Sequence, residues 1–182
     1  MKINFSLGKE WGELKKFEKL SDDERSVVFY AENIASMNHF RLLIDYLTKI
    51  MNLNICYVTS VKDDPIFSTI NKNIFPFYIG DGTARTKFFL TLKAKILIMD
   101  MPDLQTFHIK RSKVYQVHYV YVFHSLNSTQ RAYTNTAFDN FDIIFCTGNY
   151  QIIEIQEREK KFNLKKKKLV KHGYVMLDPL IN

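Results

Sequence analysis

Tyr119-Val120-Tyr121-Val122-Phe123-His124-Ser125-Leu126-Asn127-Ser128 decides how the chain is read. An aromatic and β-branched run stops abruptly at a histidine and a group of small polar residues. Short, continuously apolar runs bounded by turn residues are the strands of buried parallel sheets. In an open α/β sheet, ligands bind just outside the carboxyl ends of the strands. A histidine at such an end is placed for proton transfer. A histidine with a purely structural role is the commoner occupant of such a position, so the neighbouring chain has to decide between the two.

Working outward, the same pattern recurs. Residues 27–31, 54–59, 74–79, 95–99 and 141–146 read as further strands, and Leu169-Val170 begins a last one. Pro76 argues against a central place for the third strand, because proline has no N–H for a ladder. Helical spacing fills the gaps. Met37, Phe40, Leu43, Ile44, Leu47 and Ile50 share one face behind Ser36, which has N-cap chemistry. Asp63-Asp64-Pro65 is a turn and helix-start signal. Gly80-Asp81-Gly82-Thr83 leads into a helix carrying Ala84, Phe88, Phe89 and Leu92. Residues 105–115 are a connection and 132–138 a short helix. A longer helix runs from a cap at Asn149 to about Phe162, with Glu154–Arg158 and Glu157–Lys161 at the i,i+4 spacing of ion pairs. Strands alternating with helices predict a Rossmann-like three-layer α/β/α domain with a mainly parallel sheet over residues 26–182. Ahead of it, residues 1–25 form an amphipathic segment in which Trp11, Leu14, Phe17 and Leu20 recur at three-residue steps and pack on the domain.

The 182 residues suit one domain, and 46% hydrophobic content supports a sizeable core. The formal net charge is +7, much of it from Lys160-Lys161, Lys165 to Lys168 and Lys171. A basic surface favours phosphate-bearing partners or an anionic membrane, although such runs are often simply solvated. The aromatics fall in strand patterns rather than on an exposed basic face, so nucleic acid is not an expected partner. Cys56 and Cys146 sit in apolar runs as small buried hydrophobes, which fits a reduced cytoplasmic setting. Residues 1–10 lack a signal-peptide core, and no apolar run approaches the roughly 20 residues of a membrane span, so membrane contact is expected to be peripheral.

Parallel topology would bring Glu32, Ser60, Asp63, Asp64, Asp81, Asp103, His124, Ser125 and Gly148 to one edge of the sheet. Specific motifs are few. Gly80-Asp81-Gly82 is no dinucleotide fingerprint, because Arg85 holds the third glycine place. There is no P-loop and no Gly-x-Ser-x-Gly elbow. His108 and His118 lack ligand spacing, so no metal site is expected, and His118 reads as structural. Lys110-Arg111-Ser112 offers phosphate donors on a surface loop.

Several short runs, in order, carry a resemblance. They are Ile98-Met99-Asp100-Met101-Pro102-Asp103-Leu104, His108-Ile109-Lys110-Arg111-Ser112, residues 119–126, Phe141-Asp142-Ile143-Ile144-Phe145-Cys146-Thr147-Gly148, and His172-Gly173-Tyr174 with Leu177-Asp178. Together, over most of residues 27–180, they resemble the CDP-glycerol glycerophosphotransferase family. The resemblance implies the amino-terminal, acceptor-side half of a GT-B-like enzyme. Such enzymes transfer a polyol phosphate from a CDP-activated donor to a hydroxyl of a lipid-linked wall or capsule polymer, at the cytoplasmic membrane face. His124 matches a family histidine implicated as catalytic base. That histidine is commonly followed by glycine, where this chain has Ser125. Ser125, Asn127, Ser128 and Asp103 would then orient the acceptor, and Lys110 and Arg111 would meet phosphate on the acceptor or a headgroup. The chain stops near Asp178-Pro179-Leu180, where the resemblance implies a linker to a second Rossmann-like half. That half would hold most CDP-glycerol-type donor contacts, so no cofactor is expected in this chain and it would be inactive alone. Two alternatives stand beside this reading: a GT-B sugar transferase or epimerase-like domain, and a non-catalytic α/β binding module.

Overall fold

The structure is a computed structural model that describes residues 8–177. Asp178, quoted for the resemblance, and the signal-peptide test on residues 1–7 lie outside the described residues. Among the described residues seven strands form one sheet: β1 (Val27–Ala31), β2 (Ile55–Thr59), β3 (Ile74–Tyr78), β4 (Ile96–Met99), β5 (His118–Val122), β6 (Ile143–Cys146) and β7 (Lys168–Lys171). Every pairing is parallel, and the spatial order is β3-β2-β1-β4-β5-β6-β7. The order reverses between β1 and β4. A crevice opens there because the connections leave the two strands in opposite directions.

Strand alternation sorts the core into two faces. Val28, Tyr30, Cys56, Val58, Leu97, Met99, Tyr119, Tyr121, Ile144 and Cys146 point one way, under α1 (Lys9–Glu18), α3 (Thr83–Thr91) and α5 (Asn149–Lys161). Phe29, Ala31, Ile55, Tyr57, Ile98, Val120 and Val122 point the other way, under α2 (Ser36–Asp45). The expected amphipathic segment is α1; its Leu14 and Phe17 are buried, with Phe17 edge-on to Phe77 and Phe88. Both cysteines are buried, and burial pushes each thiol up to about 12.

β3 is an edge strand, which resolves the problem of Pro76. The Ile79 N–H donates to Thr59 O, and Asn73 O accepts from the Ile55 N–H. Odd-numbered residues of β3 therefore face β2, and Pro76 faces outward, where no ladder bond is lost.

Several local expectations shift. Ser36 does not cap α2: Ala35 holds that position, and Ser36 is the first helical residue with its hydroxyl turned to Asp100. Past Asp45 the helix widens into a π-helical turn, Tyr46–Ile50, which rotates Ile50 out to 73% exposure. The short helix after β5 is α4 (Thr129–Ala132), earlier than the spacing of 132–138 suggests, because Ser128 caps it through Gln130 N. Asn149 opens α5, but Gly148 occupies the cap position without a side-chain bond. Glu154 and Arg158 do not pair with each other. Arg158 forks onto Asp139 at 3.0 and 2.8 Å, a better match to its planar geometry than a neighbour on its own helix. Glu154 instead accepts from Ser128 Oγ and from the Thr129 N–H and hydroxyl. Asp64 does cap the 3₁₀ turn Pro65–Ser68.

Candidate active site

Alternation continues past the strand ends. Asp100 lies two residues beyond Ile98, and His124 two beyond Val122, so both point to the face that α2 covers. β1 feeds α2 through Glu32-Asn33-Ile34-Ala35, which brings Ser36 and His39, in the first turns of the helix, over the same crevice. The three segments meet at the switch point.

Asp100 is the centre of the group and is only 6% exposed. Its Oδ1 accepts from Ser36 Oγ at 3.0 Å, and its Oδ2 lies 2.7 Å from His39 Nδ1. A carboxylate only accepts, so Nδ1 carries a proton, and in the neutral form of the His39 ring Nε2 presents a lone pair. An aspartate fixing a histidine in this way prepares the far nitrogen as a base. The His124 ring stacks on His39, with centroids 5.3 Å apart and planes 29° from parallel. Burial holds the His124 imidazole below the usual histidine range. The nearby Asp100 charge opposes that shift and His39 reinforces it.

Behind His124 a chain of hydroxyls leads toward the surface. Tyr121 Oη lies 3.4 Å from His124 Nδ1, and Tyr133 is its hydroxyl neighbour on the other side. Ser125 Oγ is 2.9 Å from Tyr133 Oη. Burial, with Tyr133 and the Asp100 and Asp103 charges close by, keeps the Tyr121 phenol well above its ordinary value. It therefore works as a neutral hydrogen-bond partner.

On the α3 side of the carboxyl edge lies a cleft of about 610 Å³ that begins at Met101, the residue after Asp100, and is lined by none of Ser36, His39, Asp100 and His124. Its size suits a small ligand. Glu32 from the β1 exit, Arg85 from α3, Asp103 from the β4 exit, and Thr106, Thr134 and Thr136 supply polar atoms. Arg85 Nη1 reaches Glu32 Oε1 at 3.3 Å, and its Nε is buried without a partner. Asp103 Oδ1 accepts from Thr134 Oγ1, which ties the cleft to the Tyr133 segment. Asp103, Gln105 and Phe107 all have positive φ, at 61°, 80° and 39°. Three such residues within five make a strained loop, a pattern that concentrates at functional sites. A second cleft of about 430 Å³, between α4 and α5, is lined by charges that already pair with one another, including Arg158–Asp139 and Lys167–Glu159.

The residues expected from sequence divide. His124, Ser125 and Asp103 come together at the carboxyl edge. Asn127 is exposed nearby, and its main-chain carbonyl accepts from Gln151 Nε2 at 3.1 Å. Ser128 is engaged as the α4 cap and with Glu154. Lys110 Nζ donates to Gln105 O at 2.6 Å, beside the strained loop. Arg111 lies at the opposite edge. Its guanidinium holds Asn140 O, Val117 O and Asp142 and stacks 4.4 Å over Tyr119. Sequence reading missed His39, Asp100 and Ser36. Asp100 was recoverable, since the same alternation that exposes His124 after Val122 exposes Asp100 after Ile98. His39 carried no signal of its own, because it sits within the helical apolar pattern of α2.

Among the described residues no group of three or more His, Cys, Asp or Glu could hold a metal ion, and no helix is long and apolar enough to cross a membrane. No family model, curated protein or solved structure matches the chain.

Proposed function

We propose that the chain is the acceptor-side domain of a transferase that moves a polyol phosphate from a CDP-activated donor to a hydroxyl, with the His39–Asp100–His124 group as its acid–base centre. The observation that carries this reading is the 2.7 Å contact between His39 Nδ1 and Asp100 Oδ2, with His124 stacked on the same imidazole. The order of family-like runs around residues 98–126 supports the choice of reaction.

In this mechanism Asp100 holds His39 so that Nε2 takes the proton from the acceptor hydroxyl. The acceptor oxygen forms its bond to the donor's β-phosphorus, the bond from that phosphorus to the CMP oxygen breaks, and CMP leaves. Asp100 stabilises the imidazolium that results. His124, kept neutral by its burial, hydrogen-bonds the incoming group and shields the pair from water. The acceptor would belong to a lipid-linked polyol-phosphate or glycan polymer.

The test is transfer by a protein carrying the donor-binding half that the resemblance implies, offered CDP-polyols and, as competitors, UDP-sugars. His39→Gln and His124→Ala should each lower turnover about 10²- to 10⁴-fold with an unchanged circular dichroism spectrum. Near-normal turnover in both variants would remove the acid–base assignment. Transfer from UDP-sugars alone would replace the donor class and favour a sugar transferase.

A further inference from the structure

The basic run of the sequence has no part in the acid–base centre, and the fold gives it a defined shape. Seven lysines fall between Lys160 and Lys171. Only Lys167 turns inward: its side chain is 3% exposed, with Nζ 3.4 Å from Glu159 Oε1. The same Glu159 oxygen accepts from the Lys167 N–H at 2.9 Å, and Glu159 O accepts from the Leu164 N–H at 2.9 Å. Asn163, with φ at 49°, makes the reversal between them. The end of α5, the turn and the start of β7 are thereby fastened into one scaffold.

The other six lysines stand outward from it, all exposed. Lys165 is 3.3 Å from Asp142, but it is 84% exposed and shares that carboxylate with Arg111. Lys160, Lys161, Lys166, Lys168 and Lys171 have no carboxylate partner among the described residues. Phe162 is 52% exposed among them, with the Arg158 guanidinium 4.7 Å and Lys161 Nζ 5.4 Å from its ring centre.

We propose that the fastened turn between α5 and β7, with Lys160, Lys161, Lys165, Lys166, Lys168 and Phe162, is a docking surface for an anionic lipid bilayer. Lysine stems are long and flexible and carry point charges, which suits a fluid layer of headgroups rather than a fixed array of acceptors. The two arginines near this face are already engaged, Arg158 bidentate to Asp139 and Arg111 on Asp142 and two main-chain carbonyls, so no fork is free for base or phosphate recognition. One exposed aromatic gives an apolar anchor at the headgroup boundary. It does not give the successive stacking platforms that single-stranded nucleic acid uses. Each lysine brought near an anionic surface raises partition about fivefold. The surface is independent of the proposed reaction, and it sets an orientation. The C-terminal end of α5 and the start of β7 lie at the amino edge of the sheet, while His39 and His124 lie at the carboxyl edge. A docked chain therefore presents its acid–base centre away from the headgroups.

Sedimentation of the chain with vesicles tests this without any turnover assay. Vesicles of phosphatidylcholine alone are compared with vesicles containing phosphatidylglycerol. The chain should sediment with the anionic vesicles only, and less as salt rises. The triple variant Lys160→Glu, Lys166→Glu, Lys168→Glu should lower partition about a hundredfold or more, and Phe162→Ser should lower it further. The control Lys15→Glu, Lys19→Glu, Lys72→Glu makes the same change in net charge at exposed positions elsewhere and should have a much smaller effect. Circular dichroism of each variant confirms that it folds. Absence of binding to anionic vesicles, equal binding to neutral ones, an equal effect of the control triple, or tighter retention on nucleic acid than on vesicles would each overturn the proposal.

Discussion

The two edges of the sheet both carry buried or half-buried ion pairs, and they are built differently. At the amino edge, Arg111 closes on itself. Its guanidinium holds two main-chain carbonyls and Asp142, and Asp142 in turn accepts from the Tyr119 N–H at 3.0 Å. Partial burial works to raise the Asp142 carboxyl, but the bond from the Tyr119 N–H, then the Arg111 guanidinium and the Lys165 hydrogen bond, outweigh it and hold the group below its ordinary range. Arg111 there is a fastening between β5 and β6. At the carboxyl edge, Asp100 is equally well satisfied, but it ends the chain of bonds on a histidine whose second nitrogen stays available. A closed network stabilises, whereas an open-ended one can accept a proton from outside.

The comparison can be broken first at Asp100. Asp100→Asn keeps the shape but supplies one acceptor and one donor where two acceptors are used. Folding stability should drop by about 3 kcal/mol, the sum of two weakened buried bonds to a charged group. With either amide atom able to face the ring, the His39 proton should no longer be fixed on Nδ1, and ¹⁵N shifts of the imidazole should move toward a mixture of the two tautomers. An imidazole spectrum identical to that of the wild type would mean that the Asp100 charge does not fix the tautomer. The second break is Arg111→Met at the other edge. The loss should be about 2 kcal/mol in denaturant unfolding, because Asp142 is left half-buried with the Tyr119 N–H and a single cation, the exposed Lys165, beside it. The imidazole spectra of His39 and His124 should not change. A shift there would mean that the two edges are coupled.

A third, smaller effect sharpens the contrast within the carboxyl half. Burial alone would raise the Glu154 carboxyl, but its bonds from Thr129 and Ser128 outweigh that and hold it below its ordinary value. Glu154→Gln should cost about 1 kcal/mol. The wild-type contribution is present above the unfolded carboxyl value and fades as pH falls through the lower folded one. His124 shows the opposite chemistry with the same sign. Its folded imidazole binds a proton less readily than the unfolded one, so between the two values the unfolded chain holds more protons. Stability should therefore decline slightly as pH drops below about 6.5, and His124→Gln should flatten that part of the unfolding curve. A curve unchanged by the substitution would mean that His124 titrates normally.

Much of the architecture was legible in the sequence for one reason. A sheet buried on both faces writes each strand as an unbroken apolar run, and Val27–Ala31 and the run after His118 match their strands to within a residue. Helix details were less legible because they depend on partners far away in sequence. Ser36 has cap chemistry, yet Asp100, 64 positions on, claims its hydroxyl. Glu154 and Arg158 have pairing spacing, yet Ser128 and Asp139 offer better geometry. The site was half legible. A polar residue interrupting an apolar run is visible, as His124 was. A histidine inside an amphipathic helix is not, and His39 is defined only by what the fold sets opposite it. Lys110 and Arg111, adjacent in sequence, illustrate the converse, since one lies beside the strained loop and the other fastens the far edge.

Pro76 and the β7 lysines have one more consequence. Among the described residues the open seven-stranded sheet has two unpaired flanks, and each could template an added strand from another molecule. On one flank the middle of the three outward positions of β3 is a proline, which removes one donor from the ladder an incoming chain would need. On the other, Lys168 and Lys171 set like charges against any copy of β7 that approached. Self-association by strand addition is thus discouraged on both sides.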